Sequence, residues 1–280
     1  MIMNVKVLVC CHKKCQLPKK GPYLPIHVGK ALSDVDLGIQ GDNTGDNISI
    51  KNKTYCELTG MYWAWKNLKN VDVIGLCHYR RFFDFHHQCE SLFSNTIFNT
   101  GDFEKVDLSI KEKDLHNLNN HSIIAASPIH YEISLYYDYC RCHLSEDFLT
   151  LKKVVESQGG QNYKDAFTKV MYHNNKLRHY NMFIMTWSLY NEYCNWLFEI
   201  LSKVEAEVDI TNYSPAQKRI FGYMAERLLN VFIEANKLKV YEKKVIWFND
   251  KKNIRESKIR YFVKRTLNCI CFKLMRPVFY

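Results

Sequence analysis

Short runs of apolar residues alternate along this chain with longer stretches whose apolar positions recur every three or four residues. Val5-Lys6-Val7-Leu8-Val9-Cys10 is rich in β-branched residues and predicts a buried strand. Val71 to Cys77, Ile123 to Ala126 (stopped by Pro128) and Met182 to Met185 predict three more, and Lys239 to Phe248 a last one. Helical patterns lie between them. From Lys53 to Asn67, residues Tyr55, Leu58, Tyr62 and Trp65 share one face. Asp147 to Ser157 is closed by Gly159-Gly160, and Leu189 to Val204 forms a further helix. Ser214 is a natural N-cap, Pro215 suits the first helical position and Gln217 completes a capping box. That helix should run to Asn236, with Ile220, Met224, Leu228 and Val231 as its core stripe. Residues 84 to 120 predict loops with a short helix. The alternation predicts an α/β fold around a mostly parallel sheet flanked by helices.

Charge changes this picture at one end only. The chain of 280 residues carries a formal +10, but residues 251 to 280 hold nine Lys or Arg against a single acid, Glu256. The first 250 residues are therefore close to neutral, and the expected organisation is one α/β domain over 1–250 and a basic helical tail over 251–280. In the tail, Tyr261-Phe262-Val263, Leu267, Ile270, Phe272, Leu274 and Met275 interleave with the cations. Such a basic amphipathic segment suits an anionic membrane surface. The same charge attracts nucleic acid, and a solvated basic helix packed on the body has the same composition. No run reaches the ~18 apolar residues of a bilayer span. The start lacks the pattern of a secretory leader. The 11 cysteines are odd in number and scattered, which fits a reducing cytoplasm better than a disulfide framework.

The second predicted strand delivers His78-Tyr79-Arg80-Arg81 at its carboxyl end, where open α/β sheets bind ligands. Adjacent Arg residues offer forked donors for phosphate or carboxylate, although a surface ion-pair cluster reads alike. If the strand continues, His78 and Arg80 face one side and Tyr79 and Arg81 the other. His12 and Lys13, at the end of the first strand, belong to the same cleft. Gly41 to Asn47 is dense in turn residues, and its Asp42 and Asp46 suit a cation or sugar hydroxyls, or simply a turn and a helix cap. In the Ser214 helix, Gly222, Glu226 and Asn230 repeat at every fourth position, away from the core stripe. Gly costs about 1 kcal/mol relative to Ala inside a helix, so something should approach closely there. Glu226 beside that gap suits a general base, or equally a solvated Glu paired with Arg219 or Arg227. Asp34-Val35-Asp36 is a bare D-x-D that does not end a central strand. Cys10-Cys11-His12-Lys13-Lys14-Cys15 lacks the spacing of a zinc site. The phosphate-loop, dinucleotide-binding, nucleophile-elbow and H-E-x-x-H patterns are all missing, which argues against the enzyme classes they mark.

Several long stretches resemble a family of bacterial capsular-polysaccharide and O-antigen glycosyltransferases, long catalogued as a domain of unknown function. They are Gly45-Asp46-Asn47-Ile48-Ser49, Asn52 to Asn67, Ile74 to Arg81, Asn181 to Met185 and Phe221 to Asn230, with Lys13 and Pro25 to Lys30 nearer the start. The resemblance covers about residues 4 to 249. It implies a GT-A-like, Rossmann-type sheet binding a nucleotide-sugar, with UDP as the expected carrier. It also implies an inverting transfer, galactofuranose being one sugar linked to relatives. The expected acceptor is then a lipid-linked glycan, and the expected place of work is the cytoplasm, peripherally on the inner face of the membrane.

The His-Tyr-Arg-Arg segment falls where such enzymes often carry an acidic D-x-D that holds Mn²⁺ or Mg²⁺. Those ions stay admissible as cofactors, but the expectation is that His78, Arg80 and Arg81 stabilise the leaving diphosphate directly, with no protein metal ligand. His12 and Lys13 lie beside it, Asp46, Asn47, Tyr55 and Glu57 contact the donor, and Glu226 deprotonates the acceptor hydroxyl. Two readings of other classes stay open. One is a non-catalytic scaffold of a polysaccharide-assembly complex, which sugar transfer by purified protein separates from an enzyme. The other is a nucleic-acid module using the tail, against which stands the near-neutral body.

Overall fold

A computed structural model describes residues 3–89, 94–158, 160–250 and 258–279. Its frame is a ten-stranded sheet. β1 (Val5–Cys11) lies between β2 (Tyr23–His27) and β4 (Val73–His78), parallel to both, and β3 (Gln40–Gly41) extends the sheet beyond β2. On the other side of β4 comes β10 (Phe183–Thr186), antiparallel to it, then β7 (Ser122–Ala126) and β11 (Lys239–Lys243), which run parallel to each other. A side branch holds β5 (Arg81–Phe83), β12 (Val245–Phe248) and β6 (Asn95–Phe98). β8 (Ile129–His130) and β9 (Lys176–Leu177) form a separate ribbon. The expected mixed α/β fold with a mostly parallel sheet is what forms; β10 in the main sheet and β5 in the side branch are the strands that run antiparallel to their neighbours.

Both faces of the sheet are covered. Along β1, Leu8 and Cys10 face a helical core, while Val7, Val9 and Cys11 face a second core built on Phe82, Phe83, Phe103 and Phe248. A strand buried on both faces must be apolar at successive positions, which is why β1 reads as a continuous run. Gly75 lets β10 pack closely on β4: a Cβ there would lie 2.8 Å from Ile184 Cγ1 and 3.0 Å from the Phe183 carbonyl. The helical layer comprises α1 (Asn52–Tyr55), α2 (Leu58–Asn67), α3 (Leu135–Cys142), α4 (Ser145–Gln158), α5 (Gln161–Tyr172), α6 (Trp187–Glu207) and α7 (Ile220–Ala235). A final helix, α8 (Lys258–Phe279), follows.

Four expectations need correcting. The helix from Lys53 to Asn67 is two helices, broken at Cys56, whose φ of 54° is left-handed. The Asn52 side-chain amide stabilises the break by donating to the Cys56 carbonyl at 2.7 Å and to Thr59 Oγ1 at 3.0 Å. The Ser214–Gln217 box forms: Gln217 N–H donates to Ser214 Oγ at 3.3 Å and Ser214 N–H to Gln217 Oε1 at 3.1 Å. It caps a single tight turn, however, and regular α7 starts only at Ile220. Lys239 to Phe248 divides into β11 and β12 because the two halves pair with different partners, β7 and β5/β6. The strand into His78 does not continue. It reverses over Tyr79-Arg80, so that Arg81 pairs with His78 across an antiparallel turn. Gly159 and residues 251–257 lie outside the described residues, and so do the tail side chains other than Phe262 to Leu274.

Candidate functional site

A cleft of about 1110 Å³ opens where β1 and β4 end, walled on the far side by α3 and α7. His12, at the end of β1, contributes one edge, and the β4–β5 reversal contributes His78, Tyr79, Arg80 and Arg81. Because the chain turns there, all four line the same space, where a continuing strand would have sent two of them to each face. The Arg81 guanidinium is held between the rings of Tyr180 and Trp247, at 4.5 and 4.9 Å, and Arg80 stacks on Tyr79 at 4.8 Å. The Nε atoms of both arginines are buried without a hydrogen-bond partner among the described residues. Stacking fixes each plane while leaving donors free, which suits a bidentate anion. Lys13 lies outside the cleft lining, its Nζ 5.8 Å from the Tyr79 ring centre.

Burial, reinforced by Lys13 and Arg80, holds the His12 imidazole below its ordinary pKa. His78 is lowered too, mainly by burial, and Nε2 lies 2.6 Å from the Tyr180 carbonyl oxygen. Both rings are thus biased to the neutral form, and the fixed positive charge beside them rests on Arg80 and Arg81.

The opposing wall carries carboxylates. Glu57 enters from the Cys56 break and accepts a hydrogen bond from Asn181 Nδ2 at 2.7 Å. Glu226 Oε1 accepts from the Tyr180 backbone amide at 2.9 Å, and Oε2 faces His179 Nδ1 at 3.5 Å. Burial alone would raise the Glu226 pKa, but His179, Arg227 and the Tyr180 amide outweigh it and bring it to about 2. An ionised carboxylate can only accept, so Nδ1 of His179 carries a proton. In the neutral ring Nε2 is then the acceptor, and the Tyr131 hydroxyl sits 2.7 Å from it. Glu226, His179 and Tyr131 thus form a continuous polar chain into the cleft.

Tyr180 and Asn181, which organise both carboxylates, have φ of 75° and 51°. Consecutive left-handed residues that are not Gly are strained and persist only where their surroundings hold them. Deeper in the wall, Arg227 and Asp138 form an ion pair at 3.1 Å with both side chains about 5% exposed.

The family model of a domain of unknown function, DUF4422, matches residues 6–237. The chain belongs to the DUF4422 family. Among curated proteins none matches it significantly. Among solved structures it is similar to the apo form of the WbbM bifunctional glycosyltransferase, with 30% sequence identity and a TM-score of 0.80 over 88% of this chain. It spans 45% of that longer chain.

In this DUF4422 chain the cleft gathers His12, Glu57, His78, Arg80, Arg81 and Glu226 and leaves other expected residues outside. Asp46 is exposed and accepts from the Tyr62 hydroxyl, and Asn47 braces its own turn through the Gly45 carbonyl and the Ser49 amide. Tyr55 is buried against Phe221, with its hydroxyl 3.0 Å from Glu205. Asp42 is fully buried and accepts from the Gly29 and Lys30 amides, so it braces a loop rather than facing a ligand. Asp34 and Asp36 are exposed in a loop. Glu226 is neither solvated nor paired with Arg219. The gap at Gly222 is filled by Cys56, whose Sγ would lie 3.1 Å from an added Cβ.

Tyr131, Asn181, His179 and Tyr180 were not legible as site residues. His179, Tyr180 and Asn181 form a polar run just before a strand, Asn181 also opens one of the resembling stretches, and Tyr131 carries no such signal. For a divalent cation, no three His, Cys, Asp or Glu side chains converge among the described residues. Asp138 is committed to Arg141 and Arg227, and Glu226 to His179 and Tyr180. The donor set does not fit a protein-held Mn²⁺ or Mg²⁺.

Proposed function

We propose that this protein is a glycosyltransferase. It moves a hexose from a nucleotide-diphosphate sugar to a glycan acceptor in the synthesis of a capsule, O-antigen or exopolysaccharide. The observation that carries the proposal is the face-to-face arrangement of the cleft: stacked arginines in the turn that follows β4, beside the carboxyl end of parallel β1, opposite a braced carboxylate–imidazole pair. The 30% identity to a bifunctional glycosyltransferase supports it. The finer assignments are also proposals: UDP as the carrier, galactofuranose as the first sugar to test, a lipid-linked acceptor, inversion at the anomeric carbon, and a place on the cytoplasmic face of the membrane.

In this mechanism the diphosphate lies against Arg80 and Arg81, with His12 as a further donor and His78 beside them, its Nε2–H committed to the Tyr180 carbonyl. As the acceptor hydroxyl attacks, the bond from the anomeric carbon to the phosphate oxygen breaks and negative charge grows on the diphosphate. Fixed guanidinium donors stabilise that charge without reorganising. The hydroxyl proton passes to Nε2 of His179, whose Nδ1–H is held by ionised Glu226. The Tyr131 hydroxyl occupies Nε2 at 2.7 Å and must swing aside for the attacking hydroxyl to take its place. Glu226 is then the orienting anion of the base rather than the proton acceptor, a division of labour that also matches its low pKa. Glu57, braced by Asn181, faces the sugar.

The experiment is incubation of purified protein with a panel of UDP-sugars and a glycan acceptor, following UDP release and product mass. Transfer that is abolished by His179→Ala, with donor-induced thermal stabilisation retained, is the expected result. Donor binding without any turnover would instead indicate a scaffold.

A further inference from the structure

We infer that α8 is a docking surface for an anionic lipid bilayer, with Val263, Leu267, Ile270 and Leu274 entering the headgroup–acyl boundary and the flanking cations resting on lipid phosphates. The inference deepens the proposed function, since it rests on that reading for the identity of the acceptor but not for the docking itself.

Three observations carry it. First, the four residues fall at i, i+4, i+7 and i+11 on a described helix and are 46%, 51%, 47% and 70% exposed. At about 100° per residue they share one narrow face. The opposite side is anchored: Asn268 Nδ2 donates to the His130 carbonyl at 2.8 Å, and Phe272 is half-buried. The helix therefore holds its apolar stripe away from the body.

Second, the surroundings are cationic. Lys264, Arg265 and Lys273 are exposed on the helix, and Lys176 is exposed on β9, which pairs with β8 beneath it. Besides burial, the positive charges of Arg265, Lys176 and Arg178 hold the His130 imidazole down at about 4. A second copy of the chain could also cover a stripe of this spacing. Self-pairing would set cation against cation, because Glu256 is the tail's sole acid. An anionic surface relieves that repulsion. Among the described residues no helix is long and apolar enough to cross a membrane, so the mode is one of lying in the interface plane.

Third, the position is useful. α8 rests on His130, and the next residue, Tyr131, lines the cleft and touches His179. A bilayer under α8 brings the proposed proton acceptor close to the plane in which a lipid-anchored acceptor diffuses.

The test uses the full chain and co-sedimentation with vesicles of phosphatidylcholine, with or without about one third phosphatidylglycerol. Binding to the anionic vesicles is expected to exceed binding to neutral ones by about tenfold or more, and to weaken with salt. The combined variant Val263→Ser, Leu267→Ser, Ile270→Ser and Leu274→Ser keeps every charge and changes only exposed positions. It should lose about tenfold or more of that binding while its melting temperature holds. Equal binding to both vesicle types overturns the inference, as does full binding by the serine variant. Light scattering covers the alternative occupant: a dimer that the serine substitutions dissolve, with no vesicle binding by either protein, also overturns it. None of these readouts needs a donor or turnover. Transfer to a water-soluble acceptor should be unchanged in the serine variant, while transfer to an acceptor lipid in vesicles falls. Vesicle binding with no sugar transfer at all would leave docking standing and remove the proposed function.

Discussion

Glu226 Oε2 lies 3.5 Å from Nδ1 of His179, and its other oxygen is held by the amide of the very next residue, Tyr180. One carboxylate thus fixes both the ring and the backbone of a strained segment. Its pKa falls from an ordinary 4.5 to about 2. A folded-state pKa below the unfolded one adds stability that is fully present above the unfolded value and disappears as pH drops through the folded one. In urea unfolding, Glu226→Gln should therefore cost on the order of 3 kcal/mol at neutral pH. The difference from the parent should shrink between pH 4.5 and about 2. A gap that stays constant over that range would show that the ionised form of Glu226 does not stabilise the fold.

Arg80 and Arg81 keep their planes by stacking on Tyr79 and on Tyr180 and Trp247, not by ion pairing. Charge-assisted hydrogen bonds contribute about 1.5–3 kcal/mol each, so Arg80→Ala or Arg81→Ala should weaken UDP binding about tenfold to a hundredfold in calorimetry. Uridine should bind all forms alike, which locates the loss at the diphosphate. Lysine at either position keeps charge without the fork and should recover only part of the affinity. Undiminished UDP binding by both alanine variants would remove the diphosphate assignment.

The part of this fold that was legible in sequence is the part whose burial is uniform. β1, β4, β7 and β10 are covered on both faces, so each reads as an unbroken apolar run, and α6 and α7 carry stripes long enough to show their period. β2 was missed because Pro25 interrupts it, and β5, β6, β8 and β9 because two to four residues show no period. At the site, His12, His78, Arg80, Arg81 and Glu226 could be placed because they sit at strand ends or beside a conspicuous glycine. The turn that converges the arginines, the left-handed Cys56 and the Tyr180-Asn181 pair could not. Positive φ at Cys56 and Tyr180 has no sequence signature, and an Asn such as Asn181 gives only a weak one, since tertiary contacts impose these conformations. Asp46 and Asn47 lie in a turn outside the cleft and Tyr55 is buried against Phe221: in sequence, a polar residue bracing its own fold looks like one presenting itself to a ligand.

Sugar transfer should persist in excess EDTA, because the charge on the leaving diphosphate is assigned to guanidinium groups already in the cleft. Assays with and without added Mn²⁺ check this directly. Complete loss in EDTA that Mn²⁺ restores would mean the arginines assist a cation rather than act in its place.

The Arg227–Asp138 pair closes the cleft wall from inside, at 3.1 Å and almost without exposure. Removing one partner of a buried pair leaves an uncompensated charge, at a typical cost of about 3–5 kcal/mol. Arg141 still holds the other oxygen of Asp138 at 2.9 Å, so Arg227→Ala should fall at the low end, about 3 kcal/mol in denaturant unfolding. Replacing both partners by apolar residues, Arg227→Met with Asp138→Leu, should recover most of that loss. If the double variant is less stable than Arg227→Ala alone, the pair is not what the wall depends on.

Gly222 brings α7 against the Cys56 break, and its carbonyl accepts from Asn181 Nδ2 at 3.2 Å. Alanine there gains about 1 kcal/mol of helix propensity but sets a methyl group 3.1 Å from Cys56 Sγ and 3.3 Å from its Cβ. The strain should pass into the segment that carries Glu57 and into the Asn181 side chain bonded to it. Gly222→Ala is therefore expected to lower kcat severalfold at near-unchanged melting temperature, and Gly222→Val to lower both. Removing the sulfur should relieve much of the defect, so Gly222→Ala should cost less in a Cys56→Ala background than in the parent, a coupling that a double-mutant cycle measures. Additive effects of the two substitutions would mean that Gly222 acts on the site by a route other than its contact with Cys56.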